Sequence, residues 1–407
     1  MLSNTNSVNL ILITAASLQL TGCVDFNPKF EDKGGVKYNS NNPLDTPELI
    51  NNPQKSGSDV SASLTSFSKQ DNLTLKPNPT AKNVLITKDN KGGPLFYNSY
   101  DKATGKTIKI QAAIQIPSKF NPNSYNRPIV VLGHDGVDSS NVNPSFDPEL
   151  KIKNNFAKNS VRLSPMIAMN GSIVIIPSYR GENLSEGIKS VAGGDVMDTI
   201  GAIRYVKNLL PNSNQSVVNL VGTARGGLTS LLTAQVYPVN KVVIGYSLIE
   251  YDKWLESDPK CAKDPKCLQN KTKDYQLLDS WDKILDDESI KTAKNALGSD
   301  LPKFNRNINT FTRFANPKTS VYIAHGLKDI EVPISNSISL AQTLKKNGKV
   351  FVFETYKGHS QNPKEGTHDF FTKLPNYIDS KDSKSLQQFK DRFVAESSSI
   401  NPPENNK

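Results

Sequence analysis

The chain has 407 residues, of which 36% are hydrophobic and 22% are charged. This length is enough for one large α/β domain with accessory segments or for two modest domains, and it buries a core that excludes global disorder. Lysine and arginine number 49 against 39 aspartates and glutamates, which gives a formal charge of +10. The basic residues are scattered lysines rather than an arginine-rich stripe, so we expect no nucleic-acid binding.

The first apolar run, residues 8–20, is too short to span a bilayer comfortably, and Thr21, Gly22 and Cys23 follow it. This stretch resembles a bacterial lipoprotein signal with its lipobox. The resemblance implies a signal peptide over residues 1–22 and an acylated Cys23 that anchors the protein to a membrane of the cell envelope, on its periplasmic or surface face. Residues 1–22 lack the Lys or Arg that a signal usually carries. A buried N-terminal helix is the alternative.

Composition divides the rest of the chain. Residues 23–78 are rich in Asn, Ser, Asp, Lys and Pro, and we expect a flexible tether there. A folded domain is expected over residues 79–397, followed by a disordered tail at 398–407.

Two further cysteines, Cys261 and Cys267, stand six residues apart. An exported compartment would permit a disulfide between them, and two free thiols are the alternative. No second pair of ligands lies nearby in the sequence, so we expect no metal site and no cofactor.

Apolar runs alternate with helical stripes along the domain. β-Prone or continuously apolar runs occupy residues 83–87, 94–100, 107–116, 128–132, 172–176, 217–221, 241–245, 320–324 and 350–354. Helical spacing of apolar residues marks 196–210, 334–344 and 386–393. This alternation predicts an α/β fold with a doubly wound, mostly parallel sheet. Residues 253–315 break the alternation and are predicted to form a cap insertion over the carboxyl edge of the sheet, where such sheets bind ligands.

The most informative motif follows the apolar run at 217–221. It reads Gly-Thr-Ala-Arg-Gly-Gly over residues 222–227, and a helical pattern begins directly after it. This is the frame of a nucleophile elbow, G-x-S-x-G, in which glycines allow a very tight turn between a strand and a helix. At the centre, where a nucleophile would stand, this chain has Ala224.

Two later loops carry an acid and a histidine. Asp329 stands in His-Gly-Leu-Lys-Asp-Ile-Glu-Val-Pro after the run at 320–324, and His359 ends Tyr-Lys-Gly-His after the run at 350–354. The order nucleophile position, acid, histidine is that of α/β-hydrolases. Together with Ile-Pro-Ser-Tyr-Arg-Gly at 176–181 and Gly-Asp-Val-Met-Asp at 194–198, these motifs make residues 82–395 resemble the catalytic domain of prolyl oligopeptidase-type hydrolases.

That resemblance implies a role for each residue. Asp329 would orient His359, and His359 would act as the general base. The backbone N–H of Arg225 would be one oxyanion donor, and the loop over residues 133–136 would supply the second. In that loop Asp135 stands where the family usually has glycine, and a carboxylate aimed at the pocket would oppose a developing oxyanion.

Ala224 decides the functional expectation, because a methyl group cannot attack a carbonyl. Loss of the nucleophile costs a serine protease roughly a millionfold in kcat. We therefore expect a lipid-anchored, hydrolase-like protein that no longer hydrolyses efficiently. Its ligand would be a peptide, an ester or a protein, bound in the cleft where a hydrolase of this type binds its substrate. Two alternatives stay open: an active serine-type peptidase or esterase, and an inert structural envelope lipoprotein. In the active alternative, either a serine at 224 was replaced by engineering or a nearby hydroxyl serves, and the nearby hydroxyls are those of Thr223, Thr229, Ser230 and Ser360.

Overall fold

A computed structural model describes the following parts of the chain: residues 83–86, 95–117, 120, 123, 125–134, 164, 166–210, 217–251, 278–307, 313–327, 329, 332–356 and 380–403. The predicted signal and tether, with Cys23, lie outside the described residues. So do Asp135, Cys261, Cys267 and His359.

Within the described residues, nine strands form one mostly parallel sheet. They are β1 (Asn83–Ile86), β2 (Phe96–Asp101), β3 (Lys106–Pro117), β4 (Ile129–Gly133), β5 (Ile173–Pro177), β6 (Val218–Thr223), β7 (Lys241–Gly245), β8 (Ser320–Gly326) and β9 (Phe351–Tyr356). Their order is β1-β3-β5-β4-β6-β7-β8-β9, and β2 pairs with β3 off this path. Six neighbouring strands, β5, β4, β6, β7, β8 and β9, run parallel to one another, whereas β3 is antiparallel to β1, β2 and β5.

Six helices are described, and they cover both faces of the sheet. They are α1 (Gly194–Leu209), α2 (Arg225–Val236), α3 (Trp281–Ile284), α4 (Asp287–Leu297), α5 (Ser335–Lys346) and α6 (Ser380–Ser398). Apolar residues of α1, α2 and α5 share one core with one face of the strands, and Phe389 and Phe393 of α6 share the other. Every residue of β4, β5 and β7 is buried, as expected for parallel strands covered on two sides. The predicted doubly wound sheet is confirmed.

The predicted cap insertion is described over residues 278–307 and 313–315. Trp281 and Leu278 belong to the core that α1 and α2 share. Arg204 of α1 donates to Asp286 at 2.6 Å, which fixes the start of α4 against α1. This part of the insertion therefore packs on the helical layer.

The chain after α6 is hydrogen-bonded to the sheet. The side-chain amide of Asn219 donates to the carbonyl oxygens of Ser397 and Ser399 at 3.0 and 2.9 Å, and that of Asn240 donates to Ile400 at 3.2 Å. These bonds fasten residues 397–400 to the amino ends of β6 and β7. Ser399 and Ile400, which lie in the tail for which the sequence predicts disorder, thus accept hydrogen bonds from asparagine side chains that satisfy their donors on this backbone. Among the helices in the described part of the chain, none has the length and apolar character needed to cross a membrane.

Candidate active site

The turn between β6 and α2 has the backbone of a nucleophile elbow. Ala224 occupies it with φ 44° and ψ −114°, a conformation that costs a residue other than glycine about 1–3 kcal/mol. Its N–H donates to the carbonyl of Gly245 at 3.1 Å, and its carbonyl accepts from the N–H of Leu248 at 3.2 Å. The last residue of β7 and the loop after it therefore hold the strained residue through both of its peptide groups.

Glycines allow the tight approaches that this turn requires. A Cβ on Gly222 would overlap the backbone of Gly226, and a Cβ on Gly226 would overlap the carbonyl of Gly133. The first turn of α2 thus lies directly on the backbone that leaves β4. This contact places the two segments that the resemblance implies as oxyanion donors, Arg225 and the loop after β4, beside each other.

Asp329, the candidate acid, follows β8, and β7 lies between β8 and β6, the strand that leads into the elbow. Because β6, β7 and β8 are adjacent and parallel, Ala224 and Asp329 follow carboxyl ends at the same edge of the sheet. Asp329 accepts from the N–H of Val332 at 2.8 Å, and its side chain is fully buried. β9 ends at Tyr356, three residues before His359. Contact between His359 and Asp329 stays a prediction, because His359 lies outside the described residues.

His325 contacts the loop that contains Asp329. Its Nε2 lies 2.9 Å from the carbonyl oxygen of Val332 and 3.4 Å from Oδ2 of Asp329. Since a carbonyl only accepts, Nε2 carries the hydrogen, and Nδ1 accepts from Ser337 at 2.7 Å. His325 is fully buried and holds loop backbone.

The side chain of Arg225 enters a buried cluster of charges beneath the elbow. Its Nε and Nη2 donate to the two carboxylate oxygens of Asp195, both at 2.9 Å, and Nη2 also donates to the carbonyl of Ser190 at 3.1 Å. Its Nη1 donates to Glu182. Burial raises the pKa of Asp195, and the charge of Arg225 opposes that rise.

Glu182 links this cluster to the loop after β4. Its Oε2 lies 3.1 Å from Nε2 of His134. The ring of Tyr179 contacts both side chains, 4.7 Å from the His134 ring and 4.9 Å from the Arg225 guanidinium. Burial works against ionisation of Glu182, but Arg225 and then His134 outweigh it and lower the pKa of this carboxyl to about 2. We call Arg225, Asp195, Glu182 and His134 the elbow cluster.

A second buried pair joins two of the motifs that carry the family resemblance. Arg180 donates through Nη2 to Oδ1 of Asp198 at 2.8 Å, and its own N–H donates to Oδ2 at 2.8 Å. Ser99 of β2 donates to the same carboxylate at 2.7 Å. The motif at 176–181 is thereby fixed to the start of α1, where the motif at 194–198 lies.

The hydroxyls considered as substitute nucleophiles are buried or engaged where the structure describes them. Ser230 donates to the carbonyl of Gly226 at 2.8 Å, one helical turn earlier. Thr229 and Thr223 are 1% and 5% exposed. Ser360 lies outside the described residues.

A strained elbow between a parallel strand and a helix, with a buried acid after the second strand along the same edge, settles the architecture. The chain has the α/β-hydrolase fold. Arg225 contributes to this fold in two ways, because its N–H stands at the first turn of α2 and its side chain anchors the turn. The sequence predicted only the first of these. Charged side chains are rarely buried without a partner of opposite charge. Arg225 and Asp195 each stand among apolar residues in the sequence, and this could have indicated that they pair.

Comparisons with known proteins gave one curated relative and a set of similar solved structures. No family model matches the chain. An uncharacterised peptidase of Bacillus subtilis (strain 168), YtmA, is 36% identical over 67 residues, which are 16% of this chain and 26% of that protein. A puromycin-hydrolysing peptidase of Mycobacterium tuberculosis is 15% identical with a TM-score of 0.44, over 76% of this chain and 40% of that one.

Two other solved structures are similar at the same level. Oligopeptidase B from Leishmania major is 12% identical with a TM-score of 0.42, over 78% of this chain and 37% of that one. Esterase B from Lactobacillus rhamnosis is 13% identical with a TM-score of 0.39, over 73% and 82%. The chain thus spans less than half the length of the two solved peptidases.

Proposed function

We propose that this α/β-hydrolase binds a ligand with a peptide or ester carbonyl at the elbow and does not cleave it by a serine mechanism. The observation that supports this is Ala224 at φ 44° on the turn between β6 and α2. The turn keeps its strain and its glycines, but the side chain that it presents is a methyl group without a lone pair. The N–H of Arg225 belongs to the backbone, so oxyanion binding does not depend on which side chain stands at position 224.

Labelling with a fluorophosphonate, followed by intact mass measurement, tests the proposal. We expect no adduct on the native chain and one adduct, on the peptide that contains position 224, for Ala224→Ser. Ala296→Ser, a half-buried alanine of α4 away from the elbow, is the matched control and should stay unlabelled. Stoichiometric labelling of the native chain would replace this proposal with the active serine hydrolase.

We also propose that acylated Cys23 anchors the protein to the bacterial cell envelope. Support comes from the sequence alone, in the apolar run at 8–20 and the Leu-Thr-Gly-Cys that closes it. Detergent-phase partition of the protein expressed in bacteria should be lost in Cys23→Ser and kept in Cys261→Ser. Equal partition of the two variants would refute the anchor.

A further inference from the structure

Two backbone segments meet at the elbow, the one that leaves β4 and the first turn of α2. A Cβ on Gly226 would overlap the carbonyl of Gly133 and lie 2.8 Å from the carbonyl oxygen of His134. Backbone segments this close have no room for a side chain between them. Their relative placement sets where N–H donors from the two segments converge.

Glu182 connects both segments through a single carboxylate. One oxygen lies 3.1 Å from Nε2 of His134, on the β4 side, and the other accepts from Nη1 of Arg225, on the α2 side. The Glu182 side chain is 11% exposed, and those of His134 and Arg225 are 6% and 1% exposed. Removing one member of a buried ionic contact leaves the others uncompensated, so loss of this carboxylate disturbs both segments together.

Asp195 provides an internal comparison. Asp195, on α1, accepts two hydrogen bonds of 2.9 Å from the guanidinium of Arg225. Glu182 and Asp195 are therefore both buried carboxylates on Arg225, but the contact to His134 belongs to Glu182. A difference between variants at the two positions isolates the bridge from the anchoring of Arg225.

We propose that Glu182 is a positioning residue for the oxyanion-binding pocket, because it fixes the segment after β4 against the first turn of α2. The proposal rests on the proposed function, since the pocket is the one that would receive the ligand carbonyl. Glu182 itself touches no ligand. It acts on ligands that present an oxygen carrying full or partial negative charge, such as a carbonyl or a tetrahedral phosphonate.

Two measurements on the full chain at neutral pH test the proposal. The first is hydrogen exchange of the His134 and Arg225 amides. The second is a titration with the monoanion of ethyl phenylphosphonate, followed by the amide resonance of Arg225. Glu182→Gln is compared with Asp195→Asn and with Glu186→Gln, a change of the same kind on an exposed residue of the same loop.

We expect Glu182→Gln to speed exchange of both amides together and to raise the phosphonate Kd by about tenfold or more, the equivalent of one good contact. Asp195→Asn loosens Arg225 but not His134, so it should lower the melting temperature and raise the Kd by less than Glu182→Gln does, and Glu186→Gln should change neither. A purely structural role for Glu182 would make the affinity follow the melting temperature in both variants. If Glu182→Gln does not fold, His134→Gln cuts the same bridge from its other end and should give the same loss of affinity.

The outcomes separate this proposal from the proposed function. If the native chain binds the phosphonate and the bridge variants bind it equally well, the positioning role is wrong and the proposed function stands. If the Arg225 resonance of the native chain does not respond to the phosphonate, both are wrong.

Discussion

The main-chain N–H of Ala224 donates to the carbonyl oxygen of Gly245, with 3.1 Å between nitrogen and oxygen. Gly245 ends β7, the strand beside β6, so the neighbouring strand holds the elbow residue at its peptide group. This bond does not involve the side chain at position 224. The backbone conformation of the elbow is therefore retained whichever small side chain stands there.

Replacing Ala224 by glycine should stabilise the protein. The positive φ of Ala224 costs about 1–3 kcal/mol, and the greater freedom of glycine in the unfolded chain offsets part of the gain, which leaves about 1 kcal/mol. Urea unfolding measures this difference. The control is Ala234→Gly inside α2, which should destabilise by about 1 kcal/mol or more because glycine is a poor helix former. Equal losses in both variants would show that Ala224 is not strained.

Gly227 should tolerate no side chain while Ser247 faces it. A Cβ on Gly227 would overlap the Oγ of Ser247 and lie 2.6 Å from its Cβ. Overpacking of this kind costs about 1–3 kcal/mol, and Gly227→Ala should lose at least that much in the free energy of unfolding. Adding Ser247→Gly removes both clashing atoms and should restore part of the loss. A double-mutant cycle without such a coupling would contradict the packing described.

Acid should destabilise the native chain in part through Glu182. The pKa of this carboxyl in the folded chain is about 2, whereas an unfolded glutamate has a pKa of about 4.3. The ionised carboxylate therefore stabilises the fold at neutral pH, and this stabilisation is lost as the pH falls from about 4.3 toward 2, by about 3 kcal/mol at most.

Glu182→Gln should be less stable than the native chain at pH 7, and the two should converge as the pH falls from 5 to 2.5. Burial raises the pKa of Asp195, but that residue is present in both proteins, so comparing them isolates Glu182. Chemical unfolding at a series of pH values checks the prediction. A constant difference across the series would mean that the pairing of Glu182 does not depend on its charge.

Most of the fold could be predicted from apolar runs. The run at 241–245 coincides with β7, and the other strands differ by a residue or two at their ends. The sequence shows these strands clearly because both of their faces are covered, which makes most of their residues apolar. The contacts of residues 397–400 were not predicted because they are polar: Asn219 and Asn240 donate to backbone carbonyls, and such bonds give no apolar pattern in the sequence.

The sequence predicts those parts of the candidate site that depend on residues close together in the chain. Gly222 and Gly226 indicate a tight turn in the sequence, and the turn between β6 and α2 has φ 44° at Ala224. The elbow cluster was missed because its members come from four separate segments of the chain, so no spacing links Glu182 to Arg225 or His134. Parallel sheets bring such segments to one edge, and only the strand order shows which of them meet.

The central claim is that the methyl group at position 224 is what separates this protein from a serine hydrolase. The most direct measurement is kcat/KM for p-nitrophenyl acetate in the native chain, in Ala224→Ser and in Ala224→Ser with His359→Ala. We predict a gain of roughly a thousandfold or more for Ala224→Ser, and loss of most of that gain when His359 is also replaced. Turnover by the native chain equal to that of Ala224→Ser, or an inert Ala224→Ser that folds normally, would contradict the account.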